Sequence, residues 1–191
     1  MNYNYIYYED ISPWIWRVAL RSDIEDIIKM CEEHFKVEMD MVFTPDKPYY
    51  RYQLDLAVTN QMHHYAKEQL IVARDKKTNK LLAYGWIGRS IKAPYSQDEM
   101  AEAKMAHIDL TLPIRTRITL LAQMLQHWIT WTATCGIPVL VSTSIRREQA
   151  AFMKLHEQAG FVVRGSYAYK RLTPVGAMRD DPKPNNEKEQ Q

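Results

Sequence analysis

The chain has 191 residues, 46% of them hydrophobic and 25% charged, with a formal net charge of +2. That length suits one domain with a single sizeable core, and the composition is that of an ordinary globular protein. The near-neutral charge excludes a strong general pull toward nucleic acid or a membrane surface, and no apolar run approaches the roughly 18 residues needed to span a bilayer. The first ten residues hold four tyrosines but neither the basic nor the apolar region of a signal peptide. Cys31 and Cys135 are the only cysteines, too few for a disulfide framework, so a reducing, cytoplasmic setting is expected.

In chain order, residues 1–13 read as a Tyr-rich arm ending in Ser12-Pro13, and Trp14–Leu20 as a first strand. Ser22-Asp-Ile-Glu25 has capping-box spacing. Ile24, Ile28, Cys31 and Phe35 recur behind it at helical intervals, predicting a helix to Glu38–Met41. Pro45 and Pro48 break the next stretch. Tyr49–Tyr65 is a second predicted helix, with Tyr50, Leu54, Ala57, Val58, Met62 and Tyr65 as its stripe. Gln69–Arg74 and Leu81–Ile91, joined by the polar turn Asp75–Lys80, predict a β-hairpin; Lys92–Lys104 reads as a polar loop or short helix.

The next segment is the most telling. Met105–Leu112 alternates, with Ala106, Ile108, Leu110 and Leu112 on one face and His107, Asp109 and Thr111 on the other. Helix Arg115–Cys135 follows, with Ile118, Leu121, Leu125, Trp128 and Trp131 inward and Gly136 as its stop. Strand Pro138–Ser144 comes next, then helix Arg147–Ala159, with Ala151, Phe152, Leu155 and Ala159 inward, then Gly160-Phe161 and a strand run Val162–Leu172. Residues 173–191, with three prolines and many polar residues, read as a flexible tail. Strand, helix, strand in this order builds a parallel pair with a helical crossover, and such sheets bind ligands at the carboxyl ends of their strands.

The order β, α, α, β, β, β, α, β, α, β over residues 14–172 resembles the GNAT superfamily of acyl-CoA-dependent N-acyltransferases. The strongest local likeness is Gln149–Phe161, similar to the family's fourth helix with its terminal Gly-Phe pair. The resemblance implies an α/β (α+β) fold: a mixed, mostly antiparallel sheet of six to seven strands, about four helices on both faces, and a splayed parallel strand pair. It implies acetyl-CoA or another acyl-CoA as donor, and an amine of a small molecule, protein or nucleobase as acceptor. In the family pantetheine lies between the splayed strands and the pyrophosphate sits on amides at the next helix start. Leu110, Thr111, Leu112, Arg115, Thr116, Arg117, Ile118 and Thr119 are the corresponding positions. The family's loop pattern, Gln/Arg-x-x-Gly-x-Gly/Ala, is not kept: residues 112–120 contain no glycine. Arg115 and Arg117 offer guanidinium groups to a phosphate instead, or the helix offers its amides with the side chains turned outward.

Direct attack by an amine needs a base, and the family places a carboxylate on the fourth strand for it. Asp109 fits that role, with His107 as alternative or relay; both residues also read as groups that bond their neighbours. His156, close to the Gly-Phe pair, fits the acid for the leaving thiolate, and also reads as a surface residue of an amphipathic helix. Tyr84, Trp86 and Arg89 lie on the strand that borders the family's acceptor site, as substrate contacts or as ordinary sheet residues. Tyr167 and Tyr169 are further candidates. No His-x-x-x-His or Cys-x-x-Cys spacing occurs, so no metal site is expected. Two other functions stay open. One is a non-catalytic structural or protein-interaction component, for example of a phage or other assembly, engaging a partner through the arm or tail. The other is nucleic-acid contact through Arg115, Arg117, Arg146 and Arg147, against which the net charge argues.

Overall fold

The computed structural model describes residues 12–37, 43–90, 92, 95–144 and 149–164. They form β1 (Trp14–Val18), one 3-10 turn (Arg21–Asp23), α1 (Ile24–Val37), α2 (Lys47–His63), β2 (Glu68–Asp75), β3 (Leu81–Arg89), β4 (Met100–Ile108), α3 (Ile114–Thr134), β5 (Val139–Ser142) and α4 (Ala150–Gln158). The strands lie side by side in chain order, antiparallel at the first three junctions and parallel between β4 and β5. The sheet has five strands among the described residues, fewer than expected. Residues 162–164 are not in a strand. The rest of the predicted closing strand, with Tyr167 and Tyr169, lies outside the described residues, as do the tail, residues 1–11 of the arm, and Arg146 and Arg147.

Helices cover both faces, so β3 is buried on both sides along most of its length. On one face Ile71, Ala83, Ile87, Ala101 and Ile108 pack under Leu120, Met124, Leu125 and Trp128 of α3 and Phe152 of α4. On the other, Leu70, Val72, Tyr84 and Trp86 pack under Ile24, Ile27, Ile28 and Cys31 of α1 and Leu54, Ala57 and Val58 of α2. Gly85 sets the approach of α3: a Cβ there would lie 2.8 Å from Met124 Sδ and 3.0 Å from Trp128 Cζ2. The edge strand is tied to the same helix, because Trp14 and Trp16 both donate their indole N–H to Gln123 Oε1, at 2.8 and 2.9 Å.

Local chemistry explains where the elements start and stop. Ser22 is exposed and does not cap α1. Asp23 organises that corner instead, accepting from the Leu20 N–H at 2.7 Å and from Arg17 and Arg74. Pro48 does not break α2 but sits in its first turn, where no N–H is needed, behind the Asp46 cap that accepts from Tyr49 N. Met62 and Tyr65, expected inward, are more than 60% exposed; Gln61 faces in, donating to the Ala19 carbonyl and accepting from Leu70 N. The hairpin turn is held by Asp75 Oδ1, which accepts from the N–H groups of Lys77 and Thr78, with Asn79 at φ 57°. Gly136 (φ 67°) and Gly160 (φ 90°) end α3 and α4 in the left-handed region, as expected of helix stops.

The largest correction is to β4, which begins at Met100, inside the predicted polar loop, and ends at Ile108 rather than Leu112. Its charged residues are satisfied by neighbours. Lys104 lies 4.6 Å over the Trp86 ring and donates to Glu68 Oε2 at 3.0 Å, and Glu102 accepts from Ser90 Oγ at 3.0 Å. A bulge opposite Trp86 and Ile87 accommodates Lys104.

Candidate active site

The site begins where the parallel pair parts. Met100 to Ala103 of β4 pair with Val139 to Ser142 of β5. There β5 ends, while β4 runs on for five residues, Lys104 to Ile108, or about 16 Å at ~3.3 Å per residue. The chain then turns through Asp109–Pro113 and enters α3. Crossover by a long helix is what forces β5 to lie parallel to β4, so the carboxyl ends of both strands face the same way.

The turn is held by Asp109. Its N–H donates to the Leu82 carbonyl at 2.8 Å, and its carboxylate accepts from Thr111 N (2.8 Å), Thr111 Oγ1 (2.6 Å) and Lys80 Nζ (2.6 Å). Burial pushes the Asp109 carboxyl up, but the bonds from Lys80 and Thr111 outweigh it and hold it below its usual range. Leu112 packs on the α3 face of the sheet. Asp109 and Thr111 therefore lie in a turn beyond β4, not on the polar face of a strand.

Pro113 precedes α3, whose first turn carries no acidic residue. The Arg117 N–H reaches back to the Pro113 carbonyl at 3.1 Å and begins the helical ladder, which leaves the amides of Ile114, Arg115 and Thr116 outside it. Thr119 Oγ1 donates to the Arg115 carbonyl. Arg115 is exposed, and Arg117 is half-buried with its Nε sealed from solvent and without a hydrogen-bond partner. Ile118, expected in the core, is 44% exposed, and Leu120 takes the inward place.

His107 is 5% exposed, in a polar group buried between the sheet and α1. Its Nδ1 lies 2.6 Å from Tyr84 Oη, and Tyr84 Oη lies 3.0 Å from Tyr50 Oη on α2. The His107 ring stacks on His34 at 4.2 Å, and His34 Nε2 donates to the Ile108 carbonyl at 2.8 Å. Burial raises both phenols well above their ordinary value and pushes the Cys31 thiol beside them up to about 11, so all three keep their protons at neutral pH. The sheet register thus joins Tyr84 to His107. Trp86 lies opposite Met105 and donates to Glu68 Oε2. Arg89 is not brought to this end. It sits opposite Ala101, donates to the Ala66 carbonyl at 2.6 Å and pairs with Glu99.

His156 is not a surface residue: it is 1% exposed. Nδ1 lies 2.9 Å from the Phe152 carbonyl and Nε2 lies 2.8 Å from Ser142 Oγ. A carbonyl only accepts, so Nδ1 carries the hydrogen and Ser142 donates its hydroxyl to Nε2. The ring is clamped by Phe152 at 4.4 Å and Phe161 at 5.0 Å, and Phe161 N–H donates to the His156 carbonyl. Burial pushes the imidazole below its usual value, only partly offset by the Phe152 bond. Sequence reading missed Ser142. Its signal, a serine closing a short, half-buried strand before a helix with an inward histidine, has meaning only once β5 and α4 are adjacent.

The described residues, a five-stranded sheet whose parallel pair parts at its carboxyl end, with two helices packed on each face and a long helix springing from the freed strand, match the GNAT fold of solved acetyltransferase structures. No protein-family profile and no curated protein matches the sequence. Solved structures do match. Glucosamine-6-phosphate N-acetyltransferase of Arabidopsis thaliana superposes with a TM-score of 0.61 at 12% identity, over 85% of this chain and 100% of that one. Aminoglycoside 6'-N-acetyltransferase AAC(6')-Ih of Acinetobacter baumannii gives 0.60 at 13% identity, over 85% and 99%. AAC(6')-Iy in complex with the bisubstrate analogue CoA-S-monomethyl-acetylneamine gives 0.61 at 10% identity, over 85% and 100%. Among the described residues no helix is long and apolar enough to cross a membrane.

Proposed function

We propose that the protein is an acyl-CoA-dependent N-acyltransferase that acetylates an amine, with a small-molecule amine as the favoured acceptor. The observation that carries this reading is the parting of β4 from β5 at Ala103 and Ser142, with the freed strand leading to a helix start that bears two arginines and no acid. A thioester arm fits along a strand that has lost its parallel partner, and a diphosphate suits the uncancelled amides and positive dipole end of α3. The partnerless Nε of Arg117 supports the fit, since a buried donor calls for an acceptor. Small-molecule amines are favoured because aminoglycoside acetyltransferases share the fold.

Attack requires the neutral amine, hence a base. Asp109 is held as a stable carboxylate by Lys80 and Thr111, which makes it a weak one. His107 is the alternative base on β4, its ring held by the Tyr84 phenol at Nδ1.

The test is thermal unfolding with acetyl-CoA and with CoA. Free ligand at about a hundred times Kd stabilises by about 2.7 kcal/mol, a Tm rise of about 5–10 °C for a chain of this size. Arg115→Ala/Arg117→Ala should remove most of that rise. No rise at millimolar ligand would overturn the acyl-CoA reading. Where the rise is present, thiol release with an amine panel should show His107→Gln slower by about 10²-fold or more with the CoA-induced rise intact; an unchanged rate removes His107 from the mechanism.

A further inference from the structure

The Ser142–His156 pair has the arrangement of an activated nucleophile, and it stands at the fork of the sheet. Three groups are in line: the Phe152 carbonyl fixes Nδ1–H, Nε2 presents its lone pair, and the Ser142 hydroxyl gives its hydrogen to that lone pair at 2.8 Å. Base, orienting group and hydroxyl are the parts required to make a serine oxygen attack a carbonyl. Position agrees with chemistry. Ser142 is the last residue of β5, opposite Ala103, the last paired residue of β4, and it is half-buried whereas His156 behind it is sealed. The imidazole is sealed from any ligand, whereas Ser142 is partly open to solvent. A neutral ring with its hydrogen on Nδ1 also has no proton on Nε2 to offer a thiolate, so His156 acts first as a base and becomes an acid only after taking the serine proton.

We propose that Ser142 is an acyl-accepting nucleophile and His156 its base. This rests on the acyl-CoA reading for its natural donor, although the dyad itself would accept any activated acyl group. Ser142 Oγ bonds to the acyl carbon while its proton moves to His156 Nε2. The C–S bond then breaks, and the Nε2 proton passes to the leaving sulfur, giving the free thiol and an ester on Ser142. An amine, or water, next attacks that ester. Its proton goes to Nε2 and returns to Ser142 Oγ as the C–O bond breaks, restoring the pair and releasing amide or acid.

The experiment uses the full chain, acid-quenched after incubation without an amine acceptor, with peptide mass mapping. One arm uses acetyl-CoA. The other uses p-nitrophenyl acetate, which needs no CoA groove. The expected result is an acetyl ester on Ser142 in both arms, absent in Ser142→Ala, kept as a thioester in Ser142→Cys, and slower by about 10²-fold in His156→Gln. Ser142→Cys guards against a folding defect in His156→Gln, since it leaves the buried ring in place. An ester formed only from p-nitrophenyl acetate, with no CoA-induced rise in Tm, supports the dyad and sinks the acyl-CoA reading. A CoA-induced rise with no Ser142 ester from acetyl-CoA overturns the dyad and leaves transfer by direct attack. Ser142 unlabelled in both arms overturns the proposal whether or not CoA binds.

Discussion

Asp23→Ala is expected to destabilise the fold by about 3–5 kcal/mol, the cost of removing one partner from a buried ion pair. Asp23 is 1% exposed and accepts from Arg17 Nη1 at 2.7 Å, Arg17 Nη2 at 2.9 Å, Arg74 Nε at 2.8 Å and the Leu20 N–H at 2.7 Å. Arg74 is itself 5% exposed. Deleting the carboxylate leaves that guanidinium with Asp26, half-exposed at 2.8 Å, and the Asn79 carbonyl. The loss falls where β1, β2 and α1 meet, so all three should loosen together. Urea denaturation followed by tryptophan fluorescence measures it; a change under 1 kcal/mol would show the network to be neutral. The same residue sets an acid response. Burial alone would raise the Asp23 carboxyl, but the bonds from Arg17, Leu20 and Arg74 together hold it below its ordinary value, and Glu68 is lowered in the same way by Lys104, Asn60 and Trp86. A group lowered in the folded state contributes its stability above the unfolded value, near 4, and loses it as pH falls through the folded one. Wild-type Tm should therefore drop steeply below about pH 4, and Asp23→Ala should drop less steeply from its lower start.

Trp128→Ala should cost a similar amount, about 3–5 kcal/mol, by opening a cavity that the backbone cannot fill. Trp128 is fully buried and lies against Gly85 of β3, which has no side chain to relax into the space. Its neighbours in that layer, Met124 and Leu125, are also closed to solvent. Calorimetry gives the loss directly. Gly85→Ala destabilises from the opposite direction, by pressing a methyl into Met124 and Trp128. The double substitution should cost less than the two single changes added, because each relieves part of the other's misfit. Strict additivity would mean that α3 does not sit on β3 as described. The consequence reaches the site, because the β3–α3 contact sets how the start of α3 stands to the freed part of β4.

Much of the architecture was written locally. Hydrophobic period marks α1, α2, α3 and α4 to within a few residues at their described ends, the Asp75–Lys80 turn marks the hairpin, and Gly136 and Gly160 stop their helices where a left-handed residue is required. Strand–helix–strand order foretold the parallel pair. The first half of β4 was invisible for a physical reason: Met-Ala-Glu-Ala-Lys has no strong strand preference, and becomes a strand because β3 and β5 supply hydrogen bonds on both sides while Trp86, Glu68 and Ser90 absorb its charges. Pro48 misled because a proline at a helix start and one that breaks a helix differ only in the residues that precede them.

By itself, then, the chain's residue pattern marked the four helices, most of the strands and their order, and pointed to the carboxyl ends of β4 and β5 as the place for a site. Tertiary structure alone decided which side chains meet. Ser142 and His156 are 14 residues apart, and Asp23 and Arg74 are 51 apart; no periodicity relates them. Periodicity records which face a residue occupies, while a proton moves only between atoms at hydrogen-bond distance, and that distance exists only after the sheet and helices have packed.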